Sequence, residues 1–579
     1  MSSFKEASIS ADTEKGTATK TASENSSLRA GIVEHRENDN NNDNNNNSEA
    51  ATEKHSNLKR NLGNRQIQLI AIGGSIGTAT FVTIGAGLAQ AGPAGLLLAY
   101  LVQCCFVALA NNSMAEMAVL MPVSSAFIRM AGHWVDPALG FLAGWNFFFY
   151  EAVNIPFEIS AITVVLGFWR DDIPPAAVVA VCIVLYFTVN VFAVQWFGES
   201  EFWLATGKIF LTVILFCFTF ITMVGGNPQH DAYGFRYWRS PGPFAEYLAT
   251  GNLGRFQGFL SALWSAVFTI VGPEYVSMLA GEAILPRRNL KSAFRATYGR
   301  LIFFFLLSAI CVSIVIPYND PALVDALSSG KGSAATASPY VIAMENMGIH
   351  VLPHITTALL ITSIFSAGNA YTYYASRSLY GLALEGQAPA LLATCTASGV
   401  PICCLLVTMI FPCLAFLNVS SSTADVLTWL INLVTSSGII NYTIISVTYL
   451  FFYRATRFQG LDRKQLPYYG YGQPYATIAA LLYFLAVLGA NGYAIFLPGN
   501  WDVKGLFTHY TMIFLSPVLY LGWKIIHKTR IITADQADLV WESTAIDEYE
   551  QSYEGEISRG SWWEILNIFR CRGLRNRVS

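Results

Sequence analysis

Residues 66–90, QIQLIAIGGSIGTATFVTIGAGLAQ, limit the chain's possible folds more than any other stretch. The run is about 25 residues long, enough to cross the ~30 Å hydrocarbon core of a bilayer with some tilt. Gly73, Gly74 and Gly77 cluster at its middle, with Ser75 and Thr78 beside them. Glycine lacks a Cβ, so the backbone there can leave the helix and expose its N–H and C=O groups. Bare backbone at membrane depth persists only where protein buries it or where it lines a watery cavity. A broken first span therefore points to a binding site near the midplane, as in secondary transporters. The alternative is close helix packing, since small residues at spacing four let helices touch. On glycine spacing alone both readings stand.

Eleven further apolar segments follow, near 94–120, 138–168, 175–194, 202–224, 258–280, 298–316, 351–374, 402–417, 426–452, 475–497 and 510–526. Only 13% of the 579 residues are charged and 53% are hydrophobic, against about 25% charged in soluble domains. The chain reads as an all-α polytopic membrane protein of twelve transmembrane helices. Its net charge of −3 selects no partner class and gives no sign of nucleic-acid binding. The ten cysteines lie mostly in apolar runs without disulfide or zinc spacing, as small core hydrophobes do.

Loops on the side of the N-terminus, with the adjoining span ends, carry Arg129, Arg287, Arg288, Lys291, Arg295, Arg300, Arg377, Arg454, Arg457, Arg463 and Lys464. The opposite loops carry only Arg170, Arg236, Arg239, Arg255, Lys331 and Lys504. This bias places both ends in the cytoplasm. Residues 1–64 are polar, with an asparagine-rich tract at 38–47, and are expected to form a disordered cytoplasmic tail. No signal-peptide core precedes the first span, so that span is expected to direct insertion. The membrane-embedded body is expected to run 65–528. A cytoplasmic tail, 529–579, is acidic through Glu556 and then basic. Within it SWWEILNIF, 561–569, suits either the inner membrane surface or a solvated tail.

The sixth span is interrupted as well, at IVGPEY, 270–275. Gly272 and Pro273 break the hydrogen-bond ladder, because proline has no N–H and its ring clashes with the preceding turn. The span lies five crossings after the first and so runs in the opposite direction. Two broken spans of opposite polarity are what a five-plus-five inverted repeat requires. Ionisable residues inside spans usually face the bundle interior. Glu151 and Glu158 are seven apart on one helical face, Lys208 lies in the fifth span and Glu274 in the sixth break. Glu151 and Glu274 read as functional, whereas Glu116 and Glu158 suit a functional or a structural role equally. There is no GxxxxGK[ST] loop, so ATP does not power this chain. The histidines are isolated, and neither a metal nor another cofactor is implied.

GGSIGTATFVTIGAGLAQAGPAGLLLAY (73–100), AEMAVLMPVSSAF (115–127), ESEFWLATGKI (199–209), MLAGE (278–282) and SAGNAYTYYASRSLYGLALEGQAP (366–389) resemble the fungal amino acid permeases of the amino acid–polyamine–organocation superfamily. The likeness runs from about Leu58 to Lys528. WNFFFYEAVNIPFEI (145–159), GGNPQHDAYGFR (225–236) and PEYVSMLAGE (273–282) resemble the branch linked to carnitine and polyamine uptake in yeast. The resemblance implies the LeuT-type fold, alternating access and no enzyme activity. It implies a substrate carboxylate on the N–H groups of Gly74, Ser75, Ile76, Gly77 and Thr78, and an amine at the carbonyls of Ile270, Val271 and Gly272. Glu151 and Glu274 are candidates to receive the cation. Lys208 aligns with a fifth-span lysine that, in bacterial relatives, stands where sodium-coupled transporters hold sodium, and is the coupling candidate. Most members have glycine–threonine–glutamate at the sixth break; here it is Gly272-Pro273-Glu274.

The reading is a plasma-membrane secondary transporter for amino acids or related amine solutes such as carnitine or polyamines, driven by proton symport. Ubiquitin-ligase control through the tails accompanies the resemblance. A non-transporting nutrient sensor on the same scaffold is the alternative. For the orientation, protease added to intact cells should spare tags fused to either chain end. Cleavage of either tag would overturn it.

Overall fold

The computed structural model describes residues 60–170, 172–191, 194–329, 338–419 and 423–553. The asparagine-rich tract and the 561–569 segment lie outside these residues. The chain divides into two units, Ser56–Leu461 with Leu466–Ser579, and Met1–His55 with Asp462–Gln465. Of the second, only a 3-10 turn, Arg463–Gln465, is described, with Lys464 N–H donating to Asp462 Oδ1.

The large unit is all-helical, and its described residues contain one isolated bridge, Leu62 with Ala283, and no strand. Among the described residues, eight helices are long and apolar enough to cross a membrane. Further expected crossings fall on the shorter helix Pro175–Val191 and on two long helices, Leu352–Leu384 and Val503–His527. This set is consistent with twelve crossings. The segment expected at 402–417 is irregular, an α-turn Ile402–Thr408 followed by a 3-10 stretch Phe411–Val419.

The elements that place the site are α1 (Asn64–Ser75), α2 (Ile84–Leu120), α3 (Ala126–Trp134), α4 (Pro137–Leu166), α5 (Val194–Met223), α6 (Gly251–Thr269), α7 (Pro273–Met278), α8 (Pro286–Arg300), α9 (Leu352–Leu384), α10 (Thr423–Phe458) and α11 (Ser543–Tyr553). Helix α4 starts where Asp136 Oδ1 accepts from Ala138 N–H at 2.9 Å, and packs along α9 and α10. It is apolar on nearly every face, as a fully enclosed helix must be. Helix α2 joins two crossings at Gly92-Pro93. Gly92 has φ +72°, and a Cβ there would sit 2.7 Å from Ala245 N, so only glycine fits.

The described residues begin at Arg60. Leu62 N–H donates to Glu282 O, and Ile284 N–H to Leu62 O, both at 2.9 Å. These bonds tie the foot of α1 to the end of the sixth span.

The described part of the C-terminal tail docks on the same side. Arg129 Nη2 donates to Glu542 Oε1 at 2.7 Å, and Trp134 Nε1 to Asp538 O at 2.9 Å. Gln459 Nε2 bonds Ala534 O and Ala537 O, and Arg287 pairs with Asp547 and Glu550 of α11. Arg129 Nε also donates to Glu385 Oε1, whose partner oxygen faces His133 Nε2 at 2.9 Å. Burial pushes the Glu385 carboxyl up, but the His133 hydrogen bond and the Arg129 charge outweigh it and hold it at about 2.

A carboxyl depressed in the folded state stabilises it above the unfolded value and loses that contribution only as pH falls through the folded one. Glu385 therefore keeps its charge, and its ion pair with Arg129, from pH 7 to 5. Arg129→Ala should expose residues 529–553 to limited proteolysis of the purified protein several-fold faster. An unchanged rate would show that the ion pairs do not hold the tail.

Candidate substrate and coupling site at the two helix breaks

Helix α1 stops at Ser75. Ile76 is extended (φ −122°, ψ 104°), Gly77 is irregular, and the chain resumes at Thr78 as a π-turn, Ala79–Thr83. The glycines divide between packing and the break. Gly73 and Gly74 are helical and serve packing: a Cβ on Gly73 would strike the Glu201 carboxylate, and one on Gly74 would lie 2.9 Å from Tyr374 Cε2. Gly77 lies in the break itself, against Glu158 and Ala367.

The half-helix ends are met by charges of the matching sign. Lys208 Nζ on α5 donates to Gly73 O and Ile76 O, both at 2.6 Å. These carbonyls form the negative end of α1. Across the break, Glu158 on α4 accepts from Thr78 Oγ1 at 2.5 Å and from Thr78 N–H at 3.4 Å, at the positive start of the next half-helix. Glu201 on α5 is held by Ser366 and by Asn369 Nδ2 at 3.2 Å, and with Glu158 supplies the negative charge around Lys208. All three charges are buried. A substrate carboxylate at residues 74–78 would compete with Glu158 for the Thr78 donors.

The sixth span breaks at Ile270–Gly272. Ile270 is extended, and Gly272 has φ +157°, where a side chain is strained. Proline at the first position of α7 suits a helix start, because its missing N–H needs no partner there. Glu274 accepts from Tyr442 OH at 3.0 Å and from Gly272 N–H at 3.3 Å. It thus fixes the break to α10. Gly272 O accepts from Val276 N–H.

Glu151 is fully buried, and neither of its oxygens has a hydrogen-bond partner among the described residues. Glu274 and Tyr275 are its polar neighbours. Asn154, a conceivable partner, instead donates to Tyr150 O. Aromatic rings close the space: Tyr275 packs on Tyr374 at 4.7 Å, and its hydroxyl meets that of Tyr150 at 3.4 Å. Glu116 lies apart, accepting from Tyr449 OH and Gly470 N–H, and ties α2 to α10.

Sequence reasoning missed Glu201, the tyrosine cluster and Arg300. Glu201 was findable, since it stands seven residues before Lys208 and so shares its helical face. Arg129, Arg300 and Arg377, read as charges flanking the membrane, are buried. Arg377 pairs with Glu282 at 2.9 Å. A cavity of about 690 Å³ lies beyond the breaks, on the side away from α1's first turn, with Gln90, Trp264, Asn432 and His509 in its wall. The void at the breaks themselves is about 10 Å³, lined by Ser75, Ile76, Gly272 and Arg300 among others.

The profile of the amino acid permease family matches residues 66–535. This chain belongs to that family. It is an amino acid transporter of the multi-pass membrane class and not an enzyme. It is 45% identical to the general amino acid permease AGP2 of Saccharomyces cerevisiae, covering 86% of this chain and 85% of that one. It is 36% identical to the proline-specific permease of Emericella nidulans (90% and 95% covered). Against the dicarboxylic amino acid permease of S. cerevisiae the identity is 35% (86% and 82%). The fold is similar to that of a manganese transporter of Eremococcus coleocola, with TM-score 0.50 and 13% identity, covering 86% of this chain and 99% of that one.

The glycine contacts give a direct test. Gly73→Ala should cost about 1–3 kcal/mol through overpacking against Glu201, seen as a lower thermal midpoint in detergent. Gly299→Ala, which meets open space, should leave the midpoint in place. Equal midpoints in both permease variants would contradict the close packing.

Proposed function

We propose that this permease carries amino acids or related amine-bearing solutes into the cell across the plasma membrane by proton symport, with both chain ends cytoplasmic. Residues 65–528 form the transport body between two regulatory tails, which ubiquitin ligases would address. The observation that supports coupling is the Lys208 ammonium on the carbonyls of Gly73 and Ile76, between Glu158 and Glu201. A protonatable group at a helix break changes the charge there when it gains or loses a proton. The break moves in alternating access, so proton and substrate affect each other through it. Lys208→Arg, which stays protonated, should abolish uptake driven by a pH gradient into liposomes, with exchange retained. Accumulation at the native level would remove Lys208 from coupling. A protein that moves no solute under any gradient would favour the sensor reading.

A cationic substrate group is supported by Glu151. A buried carboxylate without a partner costs several kcal/mol unless it holds a proton or meets a cation. Carnitine or a polyamine would supply that cation, as would an α-amine. The names of the relatives cover general, proline-specific and dicarboxylic transport, so the family alone does not choose. Carnitine should compete with labelled proline in the native protein and about tenfold less well in Glu151→Gln. Equal competition in the two proteins would dismiss the cation role.

A further inference from the structure

Glu201 and Lys208 stand seven residues apart on one face of α5, about 10 Å along its axis. The start of α5 adjoins the start of α1. Arg65 Nη2 donates to Glu199 Oε2 at 3.0 Å, and a Cβ on Gly198 would meet Leu62 and Gln66. Glu201 therefore lies on the N-terminal side of Lys208. Glu158, bonded to Thr78 at the start of the next half-helix, lies beyond the break. The ammonium thus stands between two acids spaced along the direction of transport, and all three groups are buried.

Gly73 joins Lys208 to Glu201. Its carbonyl accepts from Nζ, and a Cβ on it would strike Glu201 Oε1. Only a glycine lets the backbone of α1 lie against that carboxylate. A shift of α1 then does two things at once. It takes the carbonyls of Gly73 and Ile76 away from Nζ, and it uncovers Glu201.

The hydrogen-bond partners of Glu201 are neutral. Ser366 Oγ donates to Oε1, and Asn369 Nδ2 to Oε2 at 3.2 Å. Asn369 Oδ1 in turn accepts from Asn190 Nδ2 at 2.8 Å. The ionisable groups that face it are Lys208 on its own helix, Tyr374 on α9 and Tyr186 on the helix Pro175–Val191. Lys208 is the cation among them. A hydroxyl donates to a carboxylate and accepts from a carboxylic acid, so Ser366 suits either state of Glu201. A glutamine would make the same two bonds, so joining α5 to α9 does not by itself require an acid.

We propose that Glu201 is the proton acceptor for Lys208 and carries the coupling proton toward the N-terminal side. The inference rests on the proton-symport reading above and deepens it by giving the proton its exit. As α1 moves, the ammonium loses its carbonyls and turns to Glu201. An N–H bond of Lys208 breaks with its electron pair left on nitrogen, and an O–H bond forms on the carboxylate. Ammonium and carboxylate become amine and carboxylic acid, with no change in total charge. Water entering past the displaced α1 then takes the proton from Glu201. Lys208 regains a proton from the far side, where Glu158 stands.

The test uses liposomes holding the purified full chain, native beside Glu201→Gln and Glu201→Asp, with labelled L-proline and L-carnitine as probes. Size-exclusion profiles verify that each protein is folded. Accumulation under an inward proton gradient is compared with exchange of label against internal unlabelled solute at equal pH. Glu201→Gln should lose accumulation by about tenfold or more and keep exchange within about twofold. Glu201→Asp, an acid on a shorter stem, should fall between. If Glu201→Gln accumulates like native protein, the assignment is overturned while the transport reading stands. If it loses exchange as well, the residue is structural and the assignment is equally overturned. Native-level accumulation by Lys208→Arg would remove the donor, and the coupling reading and this inference would fall together. If native protein moves neither probe, the transport reading fails and the inference with it.

Discussion

The rest of the site depends on the Lys208 ammonium at the broken end of α1. Two carbonyls that a continuous helix would have bonded internally, Gly73 O and Ile76 O, both take Nζ at 2.6 Å. Without a donor there, opening the first span would leave buried acceptors unsatisfied, at about 1–3 kcal/mol each. Glu158 does the converse on the other side of Ile76-Gly77, taking the N–H and hydroxyl of Thr78. The first span is thus two half-helices held apart by a cation at one end and an anion at the other, each of the sign its dipole favours. The Glu158 carboxyl and the Lys208 ammonium, both buried, also lie close enough to favour each other's charged form.

Closure on the N-terminal side follows from the same arrangement. Helix α1 is fixed above by Lys208, at Gln68 by Arg300, and at its foot by the Leu62–Ala283 bridge. The tail adds a further layer, through Arg129 and Arg287, over the ends of α3 and α8. On the far side the wall is looser, with an apolar cavity of about 690 Å³. That cavity lies on the open side of breaks whose N-terminal side is shut. Motion of α1 would have to undo all these contacts, so the charges that make the break possible also set the cost of opening it.

Much of the architecture was legible in the sequence because it rests on periodicity and chain-breaking residues. Span length, Gly77 in the first break and Gly272-Pro273 in the sixth each act through local backbone chemistry. The direction of each half-helix follows from counting crossings. The pairing of charges was not legible in the same way. Arg300 and Arg377 look like membrane-flanking arginines until the fold turns them inward. Glu542, Asp547 and Glu550 look like solvated acids until the tail meets Arg129 and Arg287. Those partners are separated by hundreds of residues, so only tertiary structure brings them together. Glu158, equally readable as structural or functional, proves to cap Thr78. Glu151, expected to be functional, has Glu274 and Tyr275 as polar neighbours and no hydrogen bond within 3.5 Å among the described residues.

The central claim is that Lys208 holds the first break open. Hydrogen–deuterium exchange of the peptide covering residues 70–80 tests it most directly, in native protein and Lys208→Met. The account predicts that this peptide exchanges at least tenfold faster in the variant, while peptides from α4 away from Glu158 keep their native rates. Unchanged exchange at 70–80 in a folded variant would contradict it.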